Sequence, residues 1–223
     1  MPLYAFEGRF PEIAPTAFVH PDSVLTGDVL VGGHCYLGPG ASLRGDFGRI
    51  VVGEGANIQD NCVLHCFPGR EVRVGADGHI GHGSVLHGCR VGPGVLVGMN
   101  AVVMDDAELG AGAVIGAGCV VPAGMAVPER HLVVGVPAKI LRELTPDELE
   151  WKARGTATYQ ELAVRCMTGL STVRPKSGPP PGDSPAHVAG WRHVPLHDHR
   201  AGASATEATG TPAPPDDPGR GLG

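Results

Sequence analysis

A chain of 223 residues is long enough for one large domain or two small ones. Its 35 glycines and 21 prolines, with only 4% aromatic and 18% charged residues, call for a core of small and branched aliphatics in thin, regular layers. A formal net charge of −6 argues against a nucleic-acid surface, which needs a concentrated basic face.

The opening MPLYAFEGRF lacks a basic region followed by an apolar run, so no signal peptide is expected. No apolar stretch is long enough to span a membrane. Six cysteines without a CxxC spacing are expected to be reduced thiols of a cytoplasmic protein.

From Val19 to Met125 the chain divides into lines of six, each headed by an aliphatic: VHPDSV, LTGDVL, VGGHCY, LGPGAS and LRGDFG, then VGEGAN, IQDNCV and LHCFPG. An extra stretch follows LRGDFG, a second insertion lies around Gly69 to Arg73, and LHGCR from Leu86 is one residue short. A period of six does not match the 3.6 of a helix. It fits a triangular prism with three six-residue sides per turn and a layer spacing of ~4.8 Å. The heading aliphatics fill the axis. Small fifth-place residues such as Cys35, Cys62 and Cys119 serve as core filler.

Near Thr145 the pattern changes. TPDELEWKARG reads as a helix start, with Thr145 as N-cap, Pro146 in the first turn and Glu148 closing a capping box. Tyr159, Leu162, Cys166 and Leu170 then form an apolar stripe expected to pack back on the prism. From Arg174 onward the Pro-, Gly-, Ala- and Thr-rich chain is expected to be disordered. The expected organisation is a β-helix over 1–144, a helical appendix over 145–173 and a tail over 174–223.

The chemistry lies in three histidines. His65 and His87 each follow a heading leucine and lie 22 residues apart. Four of those residues are the insertion, which leaves 18, one full turn. The two imidazoles therefore share a side, one layer apart, and are able to converge on one metal ion. His82 sits on the adjacent side and reaches the same ion only from a neighbouring chain. The expectation is a homotrimer with two ligands from one chain and one from the next. Three imidazoles with an open fourth position suit catalytic zinc, iron(II) or cobalt(II), one ion per interface.

Around this set, Gln59 is placed to hold a water on the metal, and Asp60 to orient a ligand histidine. Arg44 and Asp46, two places apart, read as an intersubunit ion pair. Cys66, beside His65, is the one cysteine with a claim to chemistry. His20, His34, His79 and His131 read as solvated surface residues, and the tail histidines His187, His193, His197 and His199 as exposed.

RGDFGRIVVGEGANIQDNCVLH from Arg44, GHIGHGSVLHGC from Gly78 and VGMNAVVMDDAELG from Val97 resemble the γ-class carbonic anhydrase-like hexapeptide-repeat family. Within it the match is to the branch of phenylacetic acid degradation proteins, the PaaY type. The resemblance runs from LYAFEG through VGVPAK and LRELTPDELEWKARGT to about Val173. It implies an all-β fold, a left-handed parallel β-helix with a C-terminal α-helix, assembled as a homotrimer. It also implies His65, His82 and His87 as metal ligands, Gln59 and Asn57 lining the pocket, Arg44 and Asp46 securing the interface, and Tyr159 near the site.

Phe47 and Pro68 stand where the prototype anhydrase carries proton-moving glutamates. The expected activity is therefore hydrolysis of acyl-CoA thioesters of phenylacetate breakdown, ahead of carbon dioxide hydration at the same site. A CoA-dependent acyltransferase of the hexapeptide type and a non-catalytic assembly subunit are the other readings. Neither a nucleic-acid nor a membrane partner is expected.

Overall fold

The computed structural model describes residues 1–174 and, beyond these, Val194, Leu196, Asp198 and His199. The chain divides into two units, Met1–Trp191 and Arg192–Gly223; of the second only those four residues are described. The tail expected from Arg174 onward, with His187, His193 and His197, otherwise lies outside the described residues.

The first unit is a parallel β-helix of about seven turns. Its heading aliphatics are the core: Leu25, Leu37, Leu43, Ile58, Leu64, Ile80, Leu86, Val97 and Ile115 are fully buried. Each such side chain contributes about 1.5–3 kcal/mol relative to exposure. The fifth-place residues fill the corners, with Ser23, Cys35, Ala41, Cys62, Ser84 and Ala101 equally buried. Period six thus became layers because each turn offers three inward aliphatics and three small corners.

Because neighbouring residues on a strand face opposite ways, the residue before each heading aliphatic points outward. These outward positions give the three sides different surfaces. One stacks Val24, Ser42, Val63, Val85, Val102 and Val120 in parallel register. It is apolar, and Val63 is exposed. The second stacks Arg73, Arg90 and Glu108 and is charged. The third stacks Phe18, Tyr36, Asn57, His79 and Leu96.

Helix α1 (Pro146–Gly169) covers the early layers of that third side, packing on Phe18–Val19, Tyr36–Leu37 and Asn57–Ile58. It starts where its capping box lies: the Glu148 N–H donates to Thr145 Oγ1 at 3.2 Å and the Thr145 N–H to Glu148 Oε2 at 3.0 Å. Tyr159, Leu162 and Cys166 meet Phe18 and Tyr36. Leu170, expected in the same stripe, is instead the C-cap and half-exposed, because the helix ends at Gly169. The last turn closes with an antiparallel pair, His131–Val134 against Lys139–Glu143, the latter exposed along its whole length. Among the described residues no helix is long and apolar enough to cross a membrane.

Candidate functional site

His65 and His87 are paired in register on parallel strands Val63–His65 and Val85–His87. Their rings lie 5.3 Å apart between centroids, with His65 Nδ1 3.3 Å from His87 Nε2. The outer nitrogens are held by carboxylates: His65 Nε2 lies 2.9 Å from Asp46 Oδ1, and His87 Nδ1 2.8 Å from Asp105 Oδ1. A neutral imidazole has one donor nitrogen and one acceptor. If each outer nitrogen donates to its aspartate, the two inner nitrogens face each other as lone pairs. Such a pair is satisfied only by a proton or a cation shared between them.

Asp105 is a residue the sequence reading missed. It follows His87 by 18 residues, one place beyond a full turn, because the short line from Leu86 makes this turn 17 residues (Val85 pairs with Val102). Gly88 makes room for it: its φ is +55°, and a Cβ there would overlap Asp105 Oδ1. Asp46 is tied to Arg44 by an ion pair within the chain and accepts from the Phe47 N–H at 2.8 Å. Burial pushes the Asp46 carboxyl up, but Arg44, His65 and the Phe47 N–H together hold it below its ordinary value. The partner of Arg44 and Asp46 in one chain is therefore each other.

His82 stands on the corner turn before Val85–His87, with Nδ1 against Asp60, as second-sphere reasoning expected of Asp60. Its Nε2 lies 3.4 Å from the Tyr159 hydroxyl of α1. Among the described residues no group of three or more His, Cys, Asp or Glu side chains converges to hold a metal within one chain. Within one chain the histidine pair and His82 do not converge.

Gln59 turns towards Asn57 and His79. Its Nε2 donates to Asn57 Oδ1 at 2.9 Å and lies 2.7 Å from His79 Nε2. Asn57 and Gln59 are buried. His79, expected to be solvated, is instead clamped under α1, since the helix lands on its side of the prism. Its Nδ1 lies 3.3 Å from Asn57 Nδ2 and 3.4 Å from Thr156 Oγ1, and its ring meets Tyr159 edge-on at 5.3 Å. Nε2 thus faces the Gln59 amide nitrogen, and Nδ1 lies between the Asn57 amide nitrogen and the Thr156 hydroxyl. Burial pushes the Tyr159 phenol up to about 12, so this hydroxyl keeps its proton.

Cys66 does not point to chemistry. It is fully buried, its thiol is pushed up by burial, and its Sγ lies 3.4 Å from the Arg70 carbonyl. Cys35, Cys62, Cys89 and Cys119 are buried as expected of filler.

Comparison with known proteins gives this geometry its company. A family described as "Bacterial transferase hexapeptide (six repeats)" matches residues 88–123. The carnitine operon protein CaiE of Salmonella agona (strain SL483) is 51% identical over 175 residues, which covers 78% of this chain and 88% of that protein. CaiE of Escherichia coli (strain K12) is 50% identical over 78% of this chain and 89% of its own. A crystal structure of a putative acetyltransferase from Bacillus cereus superposes with a TM-score of 0.72 at 35% identity, covering 72% of this chain and 94% of that one. A hexapeptide transferase family protein from Anaplasma phagocytophilum gives 0.71 at 36%, covering 73% and 96%. These relatives carry the CaiE and transferase names, not the phenylacetate-degradation name expected from the motifs. The chain belongs to the left-handed β-helical hexapeptide-repeat family of transferases, with the carnitine operon proteins CaiE among its relatives.

Proposed function

We propose that the chain is a metal-dependent hydrolase of acyl-CoA thioesters whose site is completed by a neighbouring copy in a homotrimer. The carboxylate backing of all three histidines carries this reading. Asp46, Asp60 and Asp105 each hold one ring nitrogen, which leaves Nδ1 of His65 and Nε2 of His82 and His87 as acceptors. Two nitrogens about 2.1 Å from a tetrahedral ion lie roughly 3.4 Å apart, and His65 Nδ1 and His87 Nε2 are 3.3 Å apart. The pair fits a divalent ion as it stands, with zinc, iron(II) or cobalt(II) suited to the imidazoles. Such an ion, when bound, makes water a nucleophile near neutral pH and polarises a carbonyl oxygen.

The trimer is supported by the valine side. A ladder of outward valines, with the histidine pair two residues along the strands of its Val63 and Val85 rungs, is a surface that water disfavours and a second copy covers. In that arrangement His82 comes from the neighbour, and its Asn57, Gln59, His79 and Tyr159 arrive with it. Tyr159, neutral by burial, donates a hydrogen bond towards the reacting centre; Gln59, fixed by Asn57 and His79, offers an amide for orienting water or substrate.

Thioester hydrolysis is favoured over carbon dioxide hydration because a thiolate leaves without a strong acid. Phe47 and Pro68 offer no group to carry protons away. The relatives are named carnitine operon proteins, which supports a substrate other than one of phenylacetate breakdown. A second reading, acyl transfer from CoA to an acceptor with one histidine as base, is favoured by the transferase names of the family and of the solved structures. Elemental analysis of purified protein decides between them. The proposal expects about one divalent ion per chain, lost in His82→Ala together with hydrolysis. Fully active protein without stoichiometric metal, passing acyl groups to an amine or hydroxyl acceptor, overturns it.

A further inference from the structure

Phe47 and Phe67 are 52% and 58% exposed, yet both stand against the histidine pair. The Phe47 ring lies 5.4 Å from that of His65, and Phe67 meets the His87 ring edge-on at 4.8 Å. Each phenylalanine covers one imidazole, and each stands just before a different interruption of the repeat. Phe47 is carried on the long strand Ser42–Val52, which runs from the valine side to the charged side. Phe67 is carried on the loop between Val63–His65 and Val72–Val74, ahead of the insertion around Gly69 to Arg73.

The two interruptions are locked together. Gly48, next to Phe47, passes so close to the insertion that a Cβ would overlap the Arg70 carbonyl and crowd Cys66 Sγ. The Arg44 guanidinium, paired with Asp46, lies 5.9 Å from the centre of the Phe47 ring. The Phe67 carbonyl accepts from the Arg70 N–H at 3.1 Å, closing the insertion into a turn that includes Pro68.

We infer that Phe47 and Phe67 bind the acyl group of the thioester and select apolar chains of several carbons, an inference that rests on the thioesterase reading above. Two phenyl rings fixed over the reactive pair offer an apolar wall where the substrate carbonyl must approach. A small polar substrate such as bicarbonate gains nothing from that wall, whereas each methylene of an acyl chain gains burial there.

The test compares acetyl-, butyryl-, hexanoyl- and octanoyl-CoA as substrates of the wild type, Phe47→Ala, Phe67→Ala and Phe67→Leu, with thiol release as readout. In the wild type kcat/KM rises with chain length. Each alanine variant lowers the hexanoyl-to-acetyl ratio about tenfold while the trimer mass persists, and Phe67→Leu restores most of the ratio. Equal losses for all substrates, or dissociation of the trimer, overturn the inference and make the phenylalanines general packing or interface residues. A wild type that hydrolyses no thioester of any length refutes the thioesterase reading and takes the inference with it. Turnover with an unchanged ratio refutes the inference alone.

Discussion

Mixing two inactive variants tests the divided site directly. His82→Ala keeps the His65–His87 pair with its aspartates, and His65→Ala keeps His82 with Asp60 and Tyr159. Each homotrimer then lacks one ligand at every interface and should be inactive. In a mixed trimer, an interface is whole only where the pair of a His82→Ala chain meets His82 of a His65→Ala chain. A mixed trimer has one such junction among its three whichever chain is in excess, so about a third of the interfaces in doubly purified trimers are restored. Co-expression with two different affinity tags, purification through both and a thiol-release assay give the number. Activity equal to the average of the two parents refutes the divided site, as does either parent retaining wild-type turnover.

Asp105→Asn removes the carboxylate that fixes the His87 ring, and should weaken metal binding about 10–100-fold in a chelator competition without unfolding the prism. Thr145→Ala deletes one half of the capping box and should cost about 1 kcal/mol, read as a lower melting temperature. Burial raises the Cys35 and Cys62 thiols to about 11 and Cys89 to about 12, so they stay protonated at pH 8 and should resist a disulfide reagent until the protein is denatured. Groups raised on folding stabilise the native state below their unfolded pKa. That contribution should fall as the pH climbs from about 9 towards 12, visible as a declining denaturation midpoint.

The repeat was readable because period six is incompatible with a helix, and the heading aliphatics Leu25 to Ile115 are the buried ones. Subtracting the insertion also put His65 opposite His87. The same subtraction applies to Asn57 and His79, likewise 22 residues apart and in register, but it was not made there. His79 looked solvated because nothing in its own line announces that α1 lands on that side. Thr156 and Tyr159, more than seventy positions away, decide its surroundings. The one-turn count from His87 leads to Met104, since that turn holds 17 residues, and Asp105 lies one place beyond it. The partners of Gln59, Asn57 and His79, were not legible, because position in a line says which corner a residue occupies, not which way a long amide turns. Side-chain choices among several polar neighbours are settled by packing, and the repeat carries no record of them.

A stack of parallel layers has no intrinsic end, since its last rung offers the same unpaired backbone groups as every rung before it. The antiparallel strand Lys139–Glu143 supplies the end. It reverses the chain direction over His131–Val134 and places Lys139, Arg142 and Glu143 along an exposed edge, where a further parallel rung would have to add. On that side of the prism, this short charged strand ends the stack where a further rung would otherwise find its template.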